Sequence, residues 1–315
     1  MDDHLARALA LAAAARGRAY PKPTVGAVLV RDGEVVGEGA TEAGGRHGEA
    51  VALDAAGERA RGATLYVTME PCAHWGTTPP CAERIAAAGV ARVVAGSRDP
   101  NPEAAGGLER LAAAGVEVEL ADSFEARAQN EAWRVWVSLG RPFVVYKAAV
   151  TLDGRMAAPG GRWVTGEESR RRVHELRAAA DAVAVGMGTV RADNPRLDAR
   201  GVDTPRGQPR RLAFGRGPLP AGSELELRSG PLEEELRALA AEGVQSLLLE
   251  SGPTLAQAFL EADLVDKLLL FVAPLLAGGA GPAFAPSLRS PRRLTRLRAE
   301  PVGADVLLEA YVREP

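Results

Sequence analysis

Cysteine is nearly missing from this chain of 315 residues, which holds two cysteines and four histidines. So few thiols exclude a disulfide-stapled scaffold and fit a reducing compartment, so a cytoplasmic location is expected. Aromatic residues make up only 4%, leaving Ala, Leu and Val to build the cores. No apolar run reaches the roughly 20 residues of a membrane span. The N-terminal Ala/Leu stretch carries Arg7, Arg16 and Arg18 and lacks a cleavage-site pattern, so it reads as an amphipathic helix rather than a signal peptide. A basic excess is also lacking. The net charge is −3, which argues against a broad nucleic-acid surface, and no solenoid-type repeat is present. Ala, Gly and Pro are abundant, and Arg far outnumbers Lys. That bias suits a GC-rich genome or a heat-adapted host equally. Length and a hydrophobic content of 46% suffice for two ordinary domains.

The scarce residues are concentrated. His47-Gly48-Glu49 is followed by Pro71-Cys72 and then Cys81, using both cysteines and one histidine. One imidazole and two thiolates give a three-ligand tetrahedral zinc site with a fourth position open for water, the plan of a catalytic zinc. Glu49, two residues from His47, is placed to carry protons without binding metal. H-x-E followed by P-C and a later Cys is the order found in zinc deaminases of nucleobases, where activated water attacks an amidine-like ring carbon. That signature closes with C-x-x-C, whereas eight residues separate Cys72 from Cys81 here. The plainer reading, two buried thiols and a surface histidine, leaves the ordered H-x-E and P-C pieces unexplained. A structural zinc would need a fourth ligand, for which His74 is too near Cys72 and His4 is remote.

Asp2 or Asp3 can cap a helix ending near Gly17. Val25 to Val30 and Glu34 to Gly39, joined by Arg31-Asp32-Gly33, read as a hairpin. A helix from His47 to about Gly57, a strand over 64–69, a helix over 81–88, a strand over 91–96, a helix over 103–114 and a strand over 116–120 follow. This alternation predicts a three-layer α/β domain with ligands at helix starts, where the dipole favours thiolate. A polar helix over 123–137 leads to a break at Ser138-Leu139-Gly140-Arg141-Pro142. Beyond it strands are expected at 143–150, 182–185, 211–214, 245–250 and 267–272, with helices at 167–179, 232–241 and 254–261. The stretch 201–223 reads as surface loop around one short strand, and the tail near Glu309-Ala310-Tyr311 as a last edge strand.

In this second α/β half, Gly186-Met187-Gly188-Thr189 and Glu250-Ser251-Gly252-Pro253-Thr254 each run from strand through glycine to helix, where backbone can cradle phosphate. Neither is G-x-G-x-x-G. Arg177, Arg196 and Arg200 could hold a phosphate, although a solvated face explains them as well.

Further motifs carry a resemblance that covers nearly the whole chain. They are Val25-Gly26-Ala27-Val28, Glu70-Pro71-Cys72, Gly76 with Thr78-Pro79-Pro80-Cys81, and Asp99-Pro100-Asn101-Pro102 in the first half. In the second they are Lys147, Leu152-Asp153-Gly154-Arg155, Trp163-Val164-Thr165, Leu176-Arg177, Gly188-Thr189-Val190 with Asp193 and Pro195, and Leu264-Val265-Asp266 with Ala273-Pro274. The chain resembles the bifunctional riboflavin-biosynthesis enzymes, a diaminohydroxyphosphoribosylaminopyrimidine deaminase fused to a 5-amino-6-(5-phosphoribosylamino)uracil reductase. The long loop between the cysteines is characteristic of that family. The resemblance implies a cytidine-deaminase-like domain over 1–141 with zinc on His47, Cys72 and Cys81 and Glu49 as catalytic acid/base. It implies a dihydrofolate-reductase-like domain over 142–315 that uses NADPH to reduce the opened ribose to a ribityl chain. NADPH contacts would fall on Ala149, Trp163, Thr189, Asp193, Gly252, Pro253 and Thr254, and substrate contacts on Arg177, Leu197, Arg200, Glu250 and Gly161. A homo-oligomer acting on a small pyrimidine ribose phosphate is expected, with no nucleic-acid or membrane partner.

Several positions depart from the family. Lys22 stands for an Asn, Gly48 and Val51 for the Ala and second His of His-Ala-Glu-x-His, Ala40 for another His, and Thr77 for a basic residue. Lys22 or Arg46 is expected to replace the cation lost at Thr77. Arg216 sits near a cofactor contact and is expected to meet the phosphate that distinguishes NADPH from NADH. Two other readings remain: a nucleic-acid base deaminase with a C-terminal nucleotide-binding module, and a regulatory protein with a dead pocket. The acidic balance opposes the first, and the intact ligand set with Glu49 opposes the second.

Overall fold

The computed structural model describes residues 2–75, 79–158, 163–279, 281–284 and 288–315. The chain divides into two compact units, one ending at Leu139 and one spanning Gly140–Glu314. Among the described residues no helix is long and apolar enough to cross a membrane.

The first unit is a five-stranded sheet in the order β2-β1-β3-β4-β5. Helix α1 (Asp3–Ala14) is capped by Asp2, whose carboxylate accepts from the His4 N–H. β1 (Gly26–Arg31) and β2 (Glu34–Ala40) form the expected hairpin. Its turn residues Asp32 and Gly33 both have positive φ, 51° and 80°, the backbone that a tight hairpin between right-twisted strands demands. β3 (Thr64–Val67) pairs antiparallel with β1, and β4 (Arg92–Ala95) and β5 (Glu117–Leu120) continue in parallel. Successive side chains of β1 feed opposite faces. Ala27 and Leu29 join a core with α2 (Gly48–Ala56), α3 (Cys81–Ala87) and α4 (Gly107–Ala113), while Val28 and Val30 pack on α1. This period-2 partition produces the three layers.

Two expectations need correction here. The polar segment over 123–137 is two helices, α5 (Phe124–Gln129) and α6 (Glu131–Leu139). They part at Asn130, whose side-chain amide bonds both the N–H and the C=O of Thr24 at 2.9 Å. The helix expected from 103 starts at Gly107, because Asn101 first turns the chain, its C=O accepting from the N–H groups of Ala104 and Ala105. The ligand-bearing helix starts lie where expected.

The second unit is an eight-stranded sheet in the order β12-β13-β11-β6-β10-β7-β8-β9. β6 (Phe143–Thr151), β7 (Ala182–Gly186), β8 (Arg210–Phe214), β9 (Glu226–Arg228), β10 (Ser246–Leu249) and β11 (Lys267–Ala273) run parallel to one another. α7 (Glu167–Ala179) and α8 (Met187–Asp193) pack on one face through Val183 and Val185. α9 (Leu232–Ala241) and α10 (Pro253–Glu261) pack on the other with Ala182, Ala184, Leu247 and Leu249. The tail is not an edge strand. β13 (Asp305–Tyr311) lies between β11 and β12 (Thr295–Val302), a strand without a sequence signal because its residues are almost all exposed.

Two family motifs belong to scaffolding. Asp266 receives both Arg141 guanidinium nitrogens at 2.7 Å and the Val144 N–H at 2.8 Å, tying the start of β6 to β11. Asp153 accepts from the Thr151 hydroxyl and the N–H groups of Ala277 and Gly278.

Candidate active sites

In the first unit His47 is the N-cap of α2, Cys81 the first residue of α3, and Cys72 lies in the loop after β3. His47 Nδ1 is 3.6 Å from Cys72 Sγ and 3.3 Å from Cys81 Sγ, and the Cys81 N–H donates to Cys72 Sγ at 3.3 Å. The three donor atoms lie within 4.8 Å of one another, and no other such group occurs among the described residues. One imidazole nitrogen and two buried sulfurs at that separation suit a zinc ion. Hydrogen bonds from the Cys81 thiol and from His47 draw the Cys72 thiol down to about 4, and the same sharing pushes Cys81 up. The lowered Cys72 thiol is a ready ligand for a cation.

Glu49 is 2% exposed and its Oε2 has no hydrogen-bond partner. Burial raises its pKa above the ordinary carboxylate value, opposed by the nearby His47. A buried carboxyl with one oxygen left unpartnered can change protonation during a reaction. Glu49 and His47 open into a cavity of about 220 Å³, also lined by Lys22, His74, Asp99 and Trp133. Buried Glu70 shapes its wall by accepting from the N–H groups of Asp99, Gly106 and Leu108. Asp99 is pushed up to about 6 by burial. Asp99, Asn101 and Trp133 were not singled out as site residues in sequence. Asp99 and Asn101 stood inside a quoted motif, whereas Trp133 is an isolated helical aromatic, which carries no signal of its own.

Two departures from the family pattern share a packing cause. A Cβ on Gly48 would lie 2.4 Å from the Val25 carbonyl oxygen and 3.1 Å from the Ala40 Cα. Val51 likewise fills the space over Gly39. The start of α2 therefore seats tightly on β1 and β2 through small residues. Gly76, Thr77 and Thr78 lie outside the described residues.

In the second unit several of the nominated residues lie at or just beyond the carboxyl ends of neighbouring parallel strands. Ala149 is on β6, Thr189 and Asp193 are on α8 after β7, and Gly252 caps α10 after β10, with Pro253 and Thr254 in the first turn. No atom lies within 4 Å of where a Cβ on Gly252 or Gly188 would point, so both turns face open space. Trp163 is 56% exposed, with the Arg170 guanidinium 5.4 Å from its ring centroid. Gly161 lies outside the described residues.

Arg177 and Glu250 meet directly. Arg177 Nε and Nη2 donate to the two Glu250 oxygens at 2.5 and 3.1 Å, and Nη1 donates to the Asp198 carbonyl at 3.1 Å. Lys147 Nζ stands 3.6 Å from Glu250, a contact the sequence did not reveal. These cations hold Glu250 below the usual carboxylate range despite its burial. Much of the Arg177 guanidinium is thus taken by protein acceptors. Arg200 is exposed, and its N–H donates to His174 Nδ1 at 3.1 Å. Leu197 has a left-handed backbone, φ 55°, while its side chain is buried with Val185, Met187 and Val190, so its peptide groups are what it can offer a ligand. Arg216 follows β8, and its carbonyl accepts from Arg191 Nη2 at 2.8 Å.

Comparison with known proteins separates the same two parts. Residues 1–97 match the cytidine and deoxycytidylate deaminase zinc-binding region, and residues 142–220 and 224–308 match the RibD C-terminal domain. The chain is a zinc-site deaminase unit of cytidine-deaminase-like fold joined to a reductase unit of dihydrofolate-reductase-like fold. It belongs to the RibD family, the bifunctional deaminase–reductases of riboflavin biosynthesis. It is 41% identical over 335 residues to riboflavin biosynthesis protein RibD of Mycobacterium tuberculosis, covering 99% of this chain and 98% of that protein. The RibD of Aquifex aeolicus is 36% identical over 346 residues, with 97% of each chain covered. Among solved structures, Acinetobacter baumannii RibD superposes with a TM-score of 0.83 at 35% identity over 98% of each chain. A Thermotoga maritima protein described as a diaminohydroxyphosphoribosylaminopyrimidine deaminase/5-amino-6-(5-phosphoribosylamino)uracil reductase gives 0.81 at 32% identity, covering 98% of this chain and 97% of that one.

Proposed function

We propose that the chain carries out two consecutive steps on one pyrimidine ribose phosphate. Residues 1–141 hydrolytically deaminate a diaminohydroxy-phosphoribosylaminopyrimidine. Residues 142–315 then reduce the ribosyl group of the resulting amino-phosphoribosylamino-uracil to ribityl with NADPH. The observation that carries the reading is the meeting of His47, Cys72 and Cys81 within 4.8 Å beside the buried, unpartnered Oε2 of Glu49.

Zinc held by His47, Cys72 and Cys81 supplies the Lewis acidity that makes water acidic at neutral pH. Glu49 accepts the water proton and delivers it to the departing amine, so ammonia leaves and the ring carbon keeps a carbonyl. In the second unit NADPH supplies the hydride, and the chain holds and orients it. Ala149, Trp163, Thr189, Asp193, Gly252, Pro253 and Thr254 are assigned to the cofactor, and Arg177, Leu197, Arg200, Glu250 and Gly161 to the substrate. The open turns at Gly188 and Gly252 favour close approach of the cofactor's phosphates to backbone. Arg216 reads the additional phosphate of NADPH, so Arg216→Ala lowers the preference for NADPH over NADH, and an unchanged preference removes it from this role. The enzyme works in the cytoplasm as a homo-oligomer.

The test follows the diaminopyrimidine phosphate with and without NADPH, before and after chelation. Chelation stops ammonia release while NADPH oxidation continues on pre-deaminated substrate. Ammonia release that survives complete loss of zinc would defeat the assignment.

A further inference from the structure

The deaminase cavity is poor in positive charge. Its ionisable lining includes the carboxylates of Glu49, Glu70 and Asp99, while Lys22 is the one lysine or arginine lining it among the described residues. Lys22 is exposed at the rim and makes no ion pair among those residues. Arg46, the other basic candidate nearby in sequence, is paired with Glu42 and Asp54. The Lys22 side chain has a prepared bed. Gly45 has φ 85°, and a Cβ there would lie 2.8 Å from Lys22 Nζ and 3.1 Å from its Cδ. Only a residue without a side chain leaves that path clear. The stem of Lys22 thus lies across Gly45 with its ammonium at the mouth of the cavity whose inner end holds Glu49 and His47.

A substrate that places a pyrimidine against Glu49 while carrying a phosphate on its ribose brings a dianion to this mouth. We propose that Lys22 is the substrate-phosphate contact of the deaminase site and its specificity determinant for phosphorylated over unphosphorylated substrate. The inference rests on the deaminase reading above. The exposed position suits the role: a phosphate met at the rim keeps part of its hydration, and a lysine binds it as a point charge. Gly45 is the positioning residue, because any side chain there displaces the ammonium.

The experiment compares zinc-loaded full-length wild type, Lys22→Gln, Lys22→Arg and Gly45→Ala, each on the ribose-phosphate substrate and its dephosphorylated counterpart, with ammonia release as readout. Lys22→Gln is expected to lower the kcat/KM ratio of phosphorylated over dephosphorylated substrate about tenfold or more, the loss falling on KM. Lys22→Arg should restore most of the ratio, and Gly45→Ala should lower it partway. Raised salt should erode the wild-type ratio and leave that of Lys22→Gln nearly flat. A ratio unchanged in Lys22→Gln, or an equal loss on both substrates, overturns the role of Lys22 while leaving the deaminase intact. Wild type that releases no ammonia from either substrate overturns the deaminase reading, and the role of Lys22 with it.

Discussion

Glu49 is a buried carboxylate and Glu250 a nearly buried one, and their surroundings drive them in opposite directions. Glu49 has an oxygen without a partner, and burial raises its affinity for a proton. Glu250 is gripped by Arg177 and Lys147, which hold it ionised although burial opposes this. Desolvation wins at Glu49 although His47 opposes it, and Coulombic attraction wins at Glu250, where two cations stand close. The first arrangement suits a group that must exchange a proton. The second suits a fixed anion that orders two cations beside a ligand site. The contrast extends to the whole of each site: side chains build the first, whereas strand-end turns and one ion cluster build much of the second.

The sharpest break between the two comes from the metal ligands. Cys81→Ser, or chelation, is expected to lower ammonia release roughly a thousandfold or more, because water is left near its bulk acidity. NADPH oxidation on pre-deaminated substrate should be untouched. A parallel loss of both activities would mean that the two sites are not chemically separate. Next in size is Glu49→Gln, expected to retain stoichiometric zinc while ammonia release falls by about 10²–10⁴-fold. The variant should also melt no lower than wild type, since a buried carboxylate with an unpartnered oxygen is replaced by a neutral amide. Loss of zinc instead would recast Glu49 as a ligand.

The same contrast explains what could be read from the chain. His47, Glu49, Cys72 and Cys81 are legible because their residue types are rare here and their order carries the chemistry. The turns at Gly188 and Gly252 were seen only as strand–glycine–helix patterns, because backbone N–H groups leave no residue-type signature. The meeting of Lys147 with Glu250 spans β6 and the end of β10, a pairing that only the sheet order creates. β12 escaped for the converse reason: its residues, nearly all exposed, show no apolar alternation. Asn130 broke an otherwise continuous helical pattern because its amide bonds to Thr24 outweigh propagation of the helix.

Glu250→Gln tests the anchored carboxylate. It leaves Lys147 and Arg177 charged in a largely buried site, a loss of about 3–5 kcal/mol when a buried pair is broken from one side. The sign follows from the lowered pKa: the stabilising contribution is present above the ordinary carboxylate range and is lost as pH falls through the depressed value. Wild type should therefore approach the variant's stability in acid, and denaturation of the second unit at pH 7 and at pH 3 measures the convergence. A gap independent of pH would mean that packing, not charge, sets the cost.

Asp99 supplies the smallest and subtlest comparison, because it is raised like Glu49 yet has a partner like Glu250. Burial lifts it to about 6, while its Oδ1 accepts the Asn101 N–H. A raised carboxyl stabilises the fold fully below its ordinary value near about 4, and that contribution disappears as pH rises through about 6. Between those limits the native state retains a proton that the unfolded chain has released, so stability falls with rising pH. Asp99→Asn keeps the Oδ1 acceptor for Asn101 and removes the titration. The variant is expected to lie close to wild type near pH 4 and to exceed it by about 3 kcal/mol at pH 8, as read from denaturant midpoints of the first unit. Equal stability at pH 8 would mean that water reaches this carboxylate freely and that burial does not set its titration.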